Sequence, residues 1–124
     1  MYKFYNPNPH GLITDDCTVR AISLISHKSW DETYIGIAVT GYNSKRMMST
    51  NSTWCLYLSS LGFKQIMIPN FCPDCYTVRE FCNDNPTGEF VLTTGTHVIG
   101  AIDGDYYDAW DSGNEVPISY WRKE

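Results

Sequence analysis

Apolar residues recur at helical spacing through the first half of the chain and give way to short strand-like runs in the second half. The pattern predicts a helix over residues 17–25, a second from about residue 30 to a stop at Gly41, and a third over about 52–61. An Asp pair precedes the first helix, a Ser-x-x-Glu capping box opens the second, and a glycine follows the third. A fourth, short helix begins at a second capping box, Thr77 to Glu80, and ends before Pro86.

Strands are predicted for residues 64–69, 89–94, 96–102, 105–110 and 117–121. Helices that lead and strands that follow are typical of an α+β fold, here with N-terminal helices packed on a C-terminal antiparallel sheet. Residues 1–14 are predicted to be an extended, turn-rich arm, because two Asn-Pro pairs and a His-Gly pair are incompatible with a helix. No repeat or linker interrupts the pattern, so the 124 residues are expected to form one domain, 1–124.

Composition narrows the possible functions. The net charge is −5 and no Lys/Arg cluster occurs, which argues against binding to nucleic acid. No apolar run approaches the roughly 18 residues of a membrane span, and the N-terminus has no apolar signal core, so we expect a cytoplasmic protein. The five cysteines are an odd number, and in a reducing compartment they are expected to be thiols.

The first candidate catalytic residues lie in a predicted hairpin, in which two strand-like runs flank an Asp-Gly pair. With a three-residue loop over 103–105, His97 faces Asp111 across the two strands, and a carboxylate there would hold one ring nitrogen of the histidine. With a two-residue loop over 103–104, His97 instead faces Trp110 and Asp108 lies diagonal to it. We take the first register, with Asp111 as the orienting residue.

Cys17 is the best-placed candidate nucleophile, because a thiol at a helix N-terminus meets the positive end of the helix dipole and free N–H groups. An imidazolium at His97 would stabilise its thiolate further, and the backbone N–H of Cys17 could bind an oxyanion. Asp15 and Asp16 act in the opposite direction, because nearby negative charge raises the pKa of a thiol. The simpler interpretation is that Cys17 is a buried core thiol and His97 a structural histidine.

The order of these residues resembles that of the papain-like cysteine peptidase superfamily and is most similar to its minimal branch, which includes the C39-like bacteriocin-processing peptidases. The resemblance lies in the segments 16–22, 95–99 and 108–113, about 25 residues in all, and segments 5–9 and 16–17 also look like those of small proteins of Firmicutes and their phages. It implies a hydrolase that cleaves amide bonds in a peptide or protein through a thioester and needs no cofactor. The implied roles are nucleophile for Cys17, general base for His97 and orienting residue for Asp111.

One departure from that family concerns the oxyanion. The superfamily usually has a Gln about six residues before the Cys, and Gly11 stands there. Asn6, Asn8 or His10 could substitute if the arm folds back over the site. A missing donor typically costs on the order of 10²–10³ in rate. The alternative is therefore a catalytically weak or inactive binding module of a mobile element that acts on a host protein.

The remaining candidates lie outside this triad. Cys72 and Cys75 form a Cys-x-x-Cys pair that, with Cys82, would give a small zinc-stapled interaction domain, but no second such pair exists to complete the ligand set. We expect thiols in a turn and on a short helix instead, and no metal. Trp110 is a candidate for shielding the His–Asp bond from water and for contacting substrate.

Overall fold

A computed structural model describes residues 1–70 and 73–124, and in these residues the chain forms four helices and six strands. The helices are α1 (Cys17–Ser26), α2 (Trp30–Ser44), α3 (Asn51–Ser60) and α4 (Val78–Asp84). The strands are β1 (Tyr2–Phe4), β2 (Phe63–Met67), β3 (Glu89–Thr93), β4 (Val98–Ile102), β5 (Asp105–Asp108) and β6 (Ser119–Lys123). The predicted α+β class is confirmed. No helix within the described ranges is both long and apolar enough to cross a bilayer.

Local signals in the sequence place most helix ends correctly. Both predicted capping boxes form, at Ser29 with Glu32 and at Thr77 with Glu80. Helix α1 begins at Cys17, as predicted. Helix α2, however, runs past the predicted stop at Gly41 and ends at a left-handed Lys45. A Cβ at position 41 would lie 2.7 Å from the carbonyl oxygen of Arg46, so the glycine permits close backbone contact inside the structure.

The described strands form one sheet in the order β1-β5-β4-β3-β6-β2. Neighbouring strands pair antiparallel except β1, which pairs parallel to β5. The sheet is therefore mixed, in contrast to the predicted antiparallel sheet, because the start of the arm adds an edge strand. The predicted strand over 105–110 is shorter and ends at Asp108, which places Asp111 beyond the sheet.

The sheet carries a hydrophobic cluster on each face. Helices α1 to α3 cover one face, where Val91, Val98 and Trp121 are buried against them, and α4 covers the other, where Leu92 and Ile99 are buried. Adjacent residues of β3 and of β4 thus divide between the two clusters, as expected for side chains that alternate across a strand.

Gly100 sets how closely α1 packs against β4. A Cβ at this position would lie 2.7 Å from Cδ2 of Leu24 and 3.4 Å from the carbonyl oxygen of Ala21. The missing side chain lets the helix lie directly on the strand. Because Cys17 begins α1 and His97 immediately precedes β4, this contact brings the two candidate residues to the same end of the helix–strand pair.

Candidate active site

Cys17 lies at the start of α1 and lines a cavity of about 390 Å³. Asp16 occupies the N-cap position, but its side chain makes no capping hydrogen bond. Its carboxylate instead accepts hydrogen bonds from Arg20 Nη1 at 2.7 Å and Trp30 Nε1 at 2.9 Å. The backbone N–H of Cys17 therefore has no acceptor among the described residues, because the first helical bond runs from Arg20 N to Asp16 O. The thiol and a free N–H group thus occur on the same residue at the cavity.

His97 is held in place by the turn that precedes β4. Its backbone N–H donates to Thr94 Oγ1 at 3.0 Å, and its carbonyl accepts from Thr94 N at 2.9 Å. Gly95 between them has a φ of +95°, which an L side chain rarely adopts. The imidazole lines the same cavity as Cys17, and its side chain is 13 % exposed.

The predicted partner of His97 is wrong. The β4–β5 pairing joins Ile102 to Asp105, so the loop has two residues, Asp103 and Gly104. Both have positive φ, 49° and 83°, as a type I′ turn requires, and Asp is one of the few side chains that tolerates this conformation. This register places Asp108 diagonal to His97. Nε2 of His97 lies 2.6 Å from Oδ2 of Asp108.

Asp111, predicted to orient His97, is bound elsewhere. Its Oδ1 accepts hydrogen bonds from the Tyr106 hydroxyl at 2.6 Å and from Gly113 N at 3.0 Å. Half of its side chain is exposed, and it also lies 3.6 Å from Nη2 of Arg79. These contacts fix the loop after β5 and do not involve the histidine.

Asp108 is fully buried, and each of its oxygens has two hydrogen-bonding partners. Oδ2 lies against His97 and also accepts from the Ser112 hydroxyl at 2.7 Å. Oδ1 accepts from Arg20 Nη2 at 2.9 Å and from Ala109 N at 2.8 Å. A buried carboxylate with this many donors is satisfied as an anion and has a fixed orientation. Arg20 in turn bridges Asp108 to Asp16, so the start of α1 and the end of β5 form one buried ionic network.

The pKa shifts of Cys17 and His97 both favour the charged form of the group. Burial acts to raise the pKa of Cys17. Hydrogen bonds from His97 and from the Val98 N–H outweigh this effect, as do the positive charges of His97 and Arg20, so the pKa of the thiol is lowered. Burial acts to lower the pKa of His97, but the hydrogen bonds with Asp108 and Cys17 raise it to about 9. Since Nε2 is bound to Asp108, Nδ1 is the ring nitrogen left for Cys17.

The third group, the carboxylate of Asp108, also has a shifted pKa. Burial would raise the pKa of Asp108, but the contacts with His97, Ser112 and the Ala109 N–H lower it. Asp15 and Asp16 were expected to oppose thiolate formation. Arg20, at 2.7 Å from Asp16, balances one of these two negative charges.

Trp110 stacks on the imidazole of His97, with ring centroids 4.9 Å apart and planes inclined by 27°. The indole is 47 % exposed and lines the cavity beside Cys17. It covers one face of the histidine ring, as the two-residue loop places it opposite His97. Shielding of the His–Asp bond by Trp110 and its contact with substrate both stay predictions.

The asparagines of the arm do not line the cavity of Cys17. Nδ2 of Asn6 donates to the Leu12 carbonyl at 3.1 Å, and its Oδ1 accepts from Asn8 N. Oδ1 of Asn8 accepts from His10 N at 2.8 Å. The side chains stabilise turns within the arm, so the structure does not place the predicted oxyanion donors at the thiol.

Two important members of the site, Arg20 and Ser112, are absent from the sequence-based prediction. A signal for Arg20 exists, because it lies four residues after Asp16, and an acid and a base at this spacing meet on one side of a helix. Ser112 carries no such signal. Its role depends on the turn that returns the chain toward Asp108 after β5.

Cys55, Cys75 and Cys82 do not line the cavity that contains Cys17. Cys55 and Cys82 are free thiols, as is Cys17, whereas Cys75 forms a disulfide, contrary to the prediction of thiols throughout. Cys72 of the proposed zinc ligands lies outside the described residues. Within 1–70 and 73–124, no group of three or more His, Cys, Asp or Glu side chains is arranged to hold a metal ion.

Comparison with known proteins gave no match. No family model fits the sequence, and neither a curated protein nor a solved structure matches it significantly.

Proposed function

We propose that this protein is a cysteine-dependent hydrolase of the peptidase or amidase type, in which Cys17, His97 and Asp108 act as a triad. The observation that carries the proposal is that Cys17 and His97 line one cavity, and that His97 is hydrogen-bonded to a buried Asp108 whose oxygens all have partners. Nucleophile, base and orienting group in this order form the arrangement that triad enzymes use on unrelated folds. The resemblance to minimal papain-like peptidases supports the same roles for Cys17 and His97, whereas Asp108 takes the role that the resemblance implied for Asp111.

In the proposed reaction, the Cys17 thiolate attacks a substrate carbonyl carbon and forms a C–S bond. The carbonyl oxygen takes up the electron pair, and the free Cys17 N–H lies where it can donate to that oxyanion. The imidazolium of His97 then gives its proton to the leaving amine as the C–N bond breaks. A water molecule, deprotonated by neutral His97, attacks the thioester and releases the acid and the thiol.

The oxyanion site distinguishes this proposal from its alternative. A backbone N–H at the helix start is one donor, and the arm does not bring Asn6 or Asn8 to the same cavity. A site with one donor fewer is expected to be slower by about 10²–10³-fold. The same observation favours a second candidate, a binding module on this fold that has little or no turnover.

A nonspecific activated ester separates the two candidates. With 4-nitrophenyl acetate, the hydrolase predicts a burst of nitrophenol, an acetyl thioester on Cys17 detectable by peptide mass, and continued turnover. Cys17→Ala should abolish the burst and the turnover that depends on it. Cys55→Ala, which removes a free thiol on α3 outside the cavity, is the matched control and should retain both.

Two results would count against the hydrolase. Nitrophenol release that is the same in Cys17→Ala as in the parent protein would show that Cys17 is not a nucleophile. A Cys17 thioester that forms and then persists, with no His97-dependent hydrolysis, would support the binding module.

A further inference from the structure

Helix α2 carries apolar side chains on the side opposite the one that it buries. Its buried side is formed by Thr33, Ile37 and Gly41, which follow one another at intervals of four residues. Two positions along a helix correspond to a rotation of about 200°, so Ile35 and Val39 lie opposite Ile37. Ile35 is 60 % exposed and Val39 is 50 % exposed. An amphipathic surface helix would have polar residues at these positions.

Tyr42 extends this exposed surface by another turn of the helix, and it is 73 % exposed. Ile35, Val39 and Tyr42, here called the outer stripe, follow the i, i+4, i+7 spacing that places side chains on one helix face. Single exposed apolar residues need no explanation, but a row of large ones on one face indicates an interaction surface. None of the three lines the cavity that contains Cys17, so the outer stripe has a role separate from the proposed reaction.

Charges of opposite sign lie at the two ends of the outer stripe. Asp31 and Glu32 stand in the first turn of α2, and Lys45 and Arg46 follow its last turn. Asp31 and Arg46 form no ion pair or side-chain hydrogen bond with the residues that the structure describes. Nζ of Lys45 lies over the ring of Tyr42, 4.2 Å from its centroid, so one positive charge stands directly at the end of the stripe.

This arrangement is complementary to itself when two copies of α2 lie antiparallel. A twofold axis that passes between positions 38 and 39 sets Ile35 opposite Tyr42 of the second copy. The same axis sets Asp31 opposite Arg46 of the second copy, because these two residues are equally far from it along the chain. The antiparallel arrangement also opposes the two helix dipoles, whereas a parallel one would place like charges together.

We propose that the outer stripe is a dimerisation surface, on which a second copy of this chain packs its own α2 antiparallel to the first. Both copies would use the same residues, as the twofold symmetry of most homodimers requires. Burial of the apolar side chains supplies the affinity, and the charges at the ends fix the orientation. A single pair of helices is a small interface, so the dissociation constant is expected in the micromolar range.

Sedimentation equilibrium of the full chain between about 1 μM and 1 mM tests the proposal. The average mass of the parent protein should rise with concentration from that of one chain toward twice that mass. Val39→Glu places a carboxylate at the centre of the stripe in both copies and should weaken the dimer by about a hundredfold or more. Ile35→Glu should have a similar effect. Ile13→Glu, at an apolar residue of the arm that is 70 % exposed, makes the same change outside α2 and should keep the parent affinity.

Reversal of the end charges tests the antiparallel orientation. Asp31→Lys and Arg46→Glu each set like charges opposite one another and should weaken the dimer by about threefold to tenfold. The double variant restores opposite charges across the interface, so it should recover the parent affinity. All the substituted positions are exposed, so the variants are expected to fold, and circular dichroism verifies this.

Three outcomes would overturn the proposal. The mass of one chain at every concentration would refute the dimer, and binding of that single chain to phosphatidylcholine–phosphatidylglycerol vesicles, lost in Val39→Glu, would assign the stripe to a lipid surface instead. A dimer that Val39→Glu and Ile35→Glu leave intact would use another surface. A double charge variant as weak as the two single ones would refute the antiparallel arrangement. None of these measurements depends on the reactivity of Cys17, so they leave the proposed function untouched.

Discussion

Replacing Asp108 with Asn should slow the alkylation of Cys17, because it removes the charge that holds His97 as an imidazolium. The pKa of His97 is raised from 6.5 to about 9, and at 1.36 kcal/mol per pH unit this difference corresponds to about 3 kcal/mol in favour of the charged ring. Burial opposes the charge, and the hydrogen bond with Asp108 is the largest favourable contribution. With Asn at position 108, the pKa of His97 should return to its ordinary value or below.

The thiolate loses its cationic neighbour in that variant. At about pH 7 the alkylation rate constant of Cys17 should fall by about tenfold to a hundredfold, where a hundredfold corresponds to loss of nearly the full 3 kcal/mol from the ion pair. The assay is timed reaction with iodoacetamide, followed by peptide mass analysis. Cys82 is 3 % exposed and serves as an internal control for folding, because it becomes labelled only when the structure opens.

Asp111→Asn is the matched control for Asp108→Asn. It removes a carboxylate three residues away that bonds to Tyr106 and Gly113, so the rate at Cys17 should stay at the parent value. The reasoning would be refuted by an unchanged rate in Asp108→Asn with Cys82 still protected. Equal losses in the two variants would refute it as well.

Three further predictions concern the buried arginine, the packing of α1 on β4 and the ionisation of His97. Arg20→Met should lower the free energy of unfolding, measured in urea, by about 3–5 kcal/mol, because two buried carboxylates lose their counter-charge. The control is Arg79→Met, which removes a half-exposed arginine and should lower this free energy by less than about 1 kcal/mol. Gly100→Val should force α1 away from β4, so the iodoacetamide rate at Cys17 should fall while circular dichroism retains the α+β signal. His97→Gln should be less stable than the parent protein, and the difference in unfolding free energy should be largest below about pH 6.5. The difference should narrow as the pH rises through about 9, because a histidine with a raised pKa stabilises the fold only while it is protonated. A difference that grows from pH 6 to 9 would contradict that sign.

The features that could be predicted from the sequence are those that depend on residues close together in the chain. The capping boxes at Ser29 and Thr77 form because their partners lie three residues away. The start of α1 at Cys17 was also predicted, although Asp16 at its N-cap makes no side-chain capping hydrogen bond. Such signals involve few residues and need no knowledge of distant parts of the chain.

The identity of the carboxylate depended on one backbone conformation. An Asp-Gly pair is compatible with a two-residue or a three-residue loop. The structure has the two-residue loop, in which Asp103 adopts a φ of 49°. A shift of one residue in register changed the partner of His97 from Asp111 to Asp108. Periodicity cannot resolve this difference, because the strand pattern is compatible with either loop.

The buried network could not be predicted, because its members are far apart in the chain. Arg20 and Asp108 are separated by 88 positions and meet only after α1 packs on the sheet. Ser112 reaches Asp108 through a turn with no distinctive sequence. These contacts arise from tertiary packing, and they make Asp108 a satisfied, buried anion, while half of the Asp111 side chain is exposed.

The most direct test of the triad is the ionisation of Cys17 itself. The thiolate content can be followed by ultraviolet absorbance as a function of pH, as the difference between the parent protein and Cys17→Ala. We predict that Cys17 titrates below the ordinary thiol pKa of about 8.5, and that its pKa rises in His97→Ala and in Asp108→Asn. A Cys17 that titrates near its ordinary pKa in all three proteins would contradict the proposed ion pair.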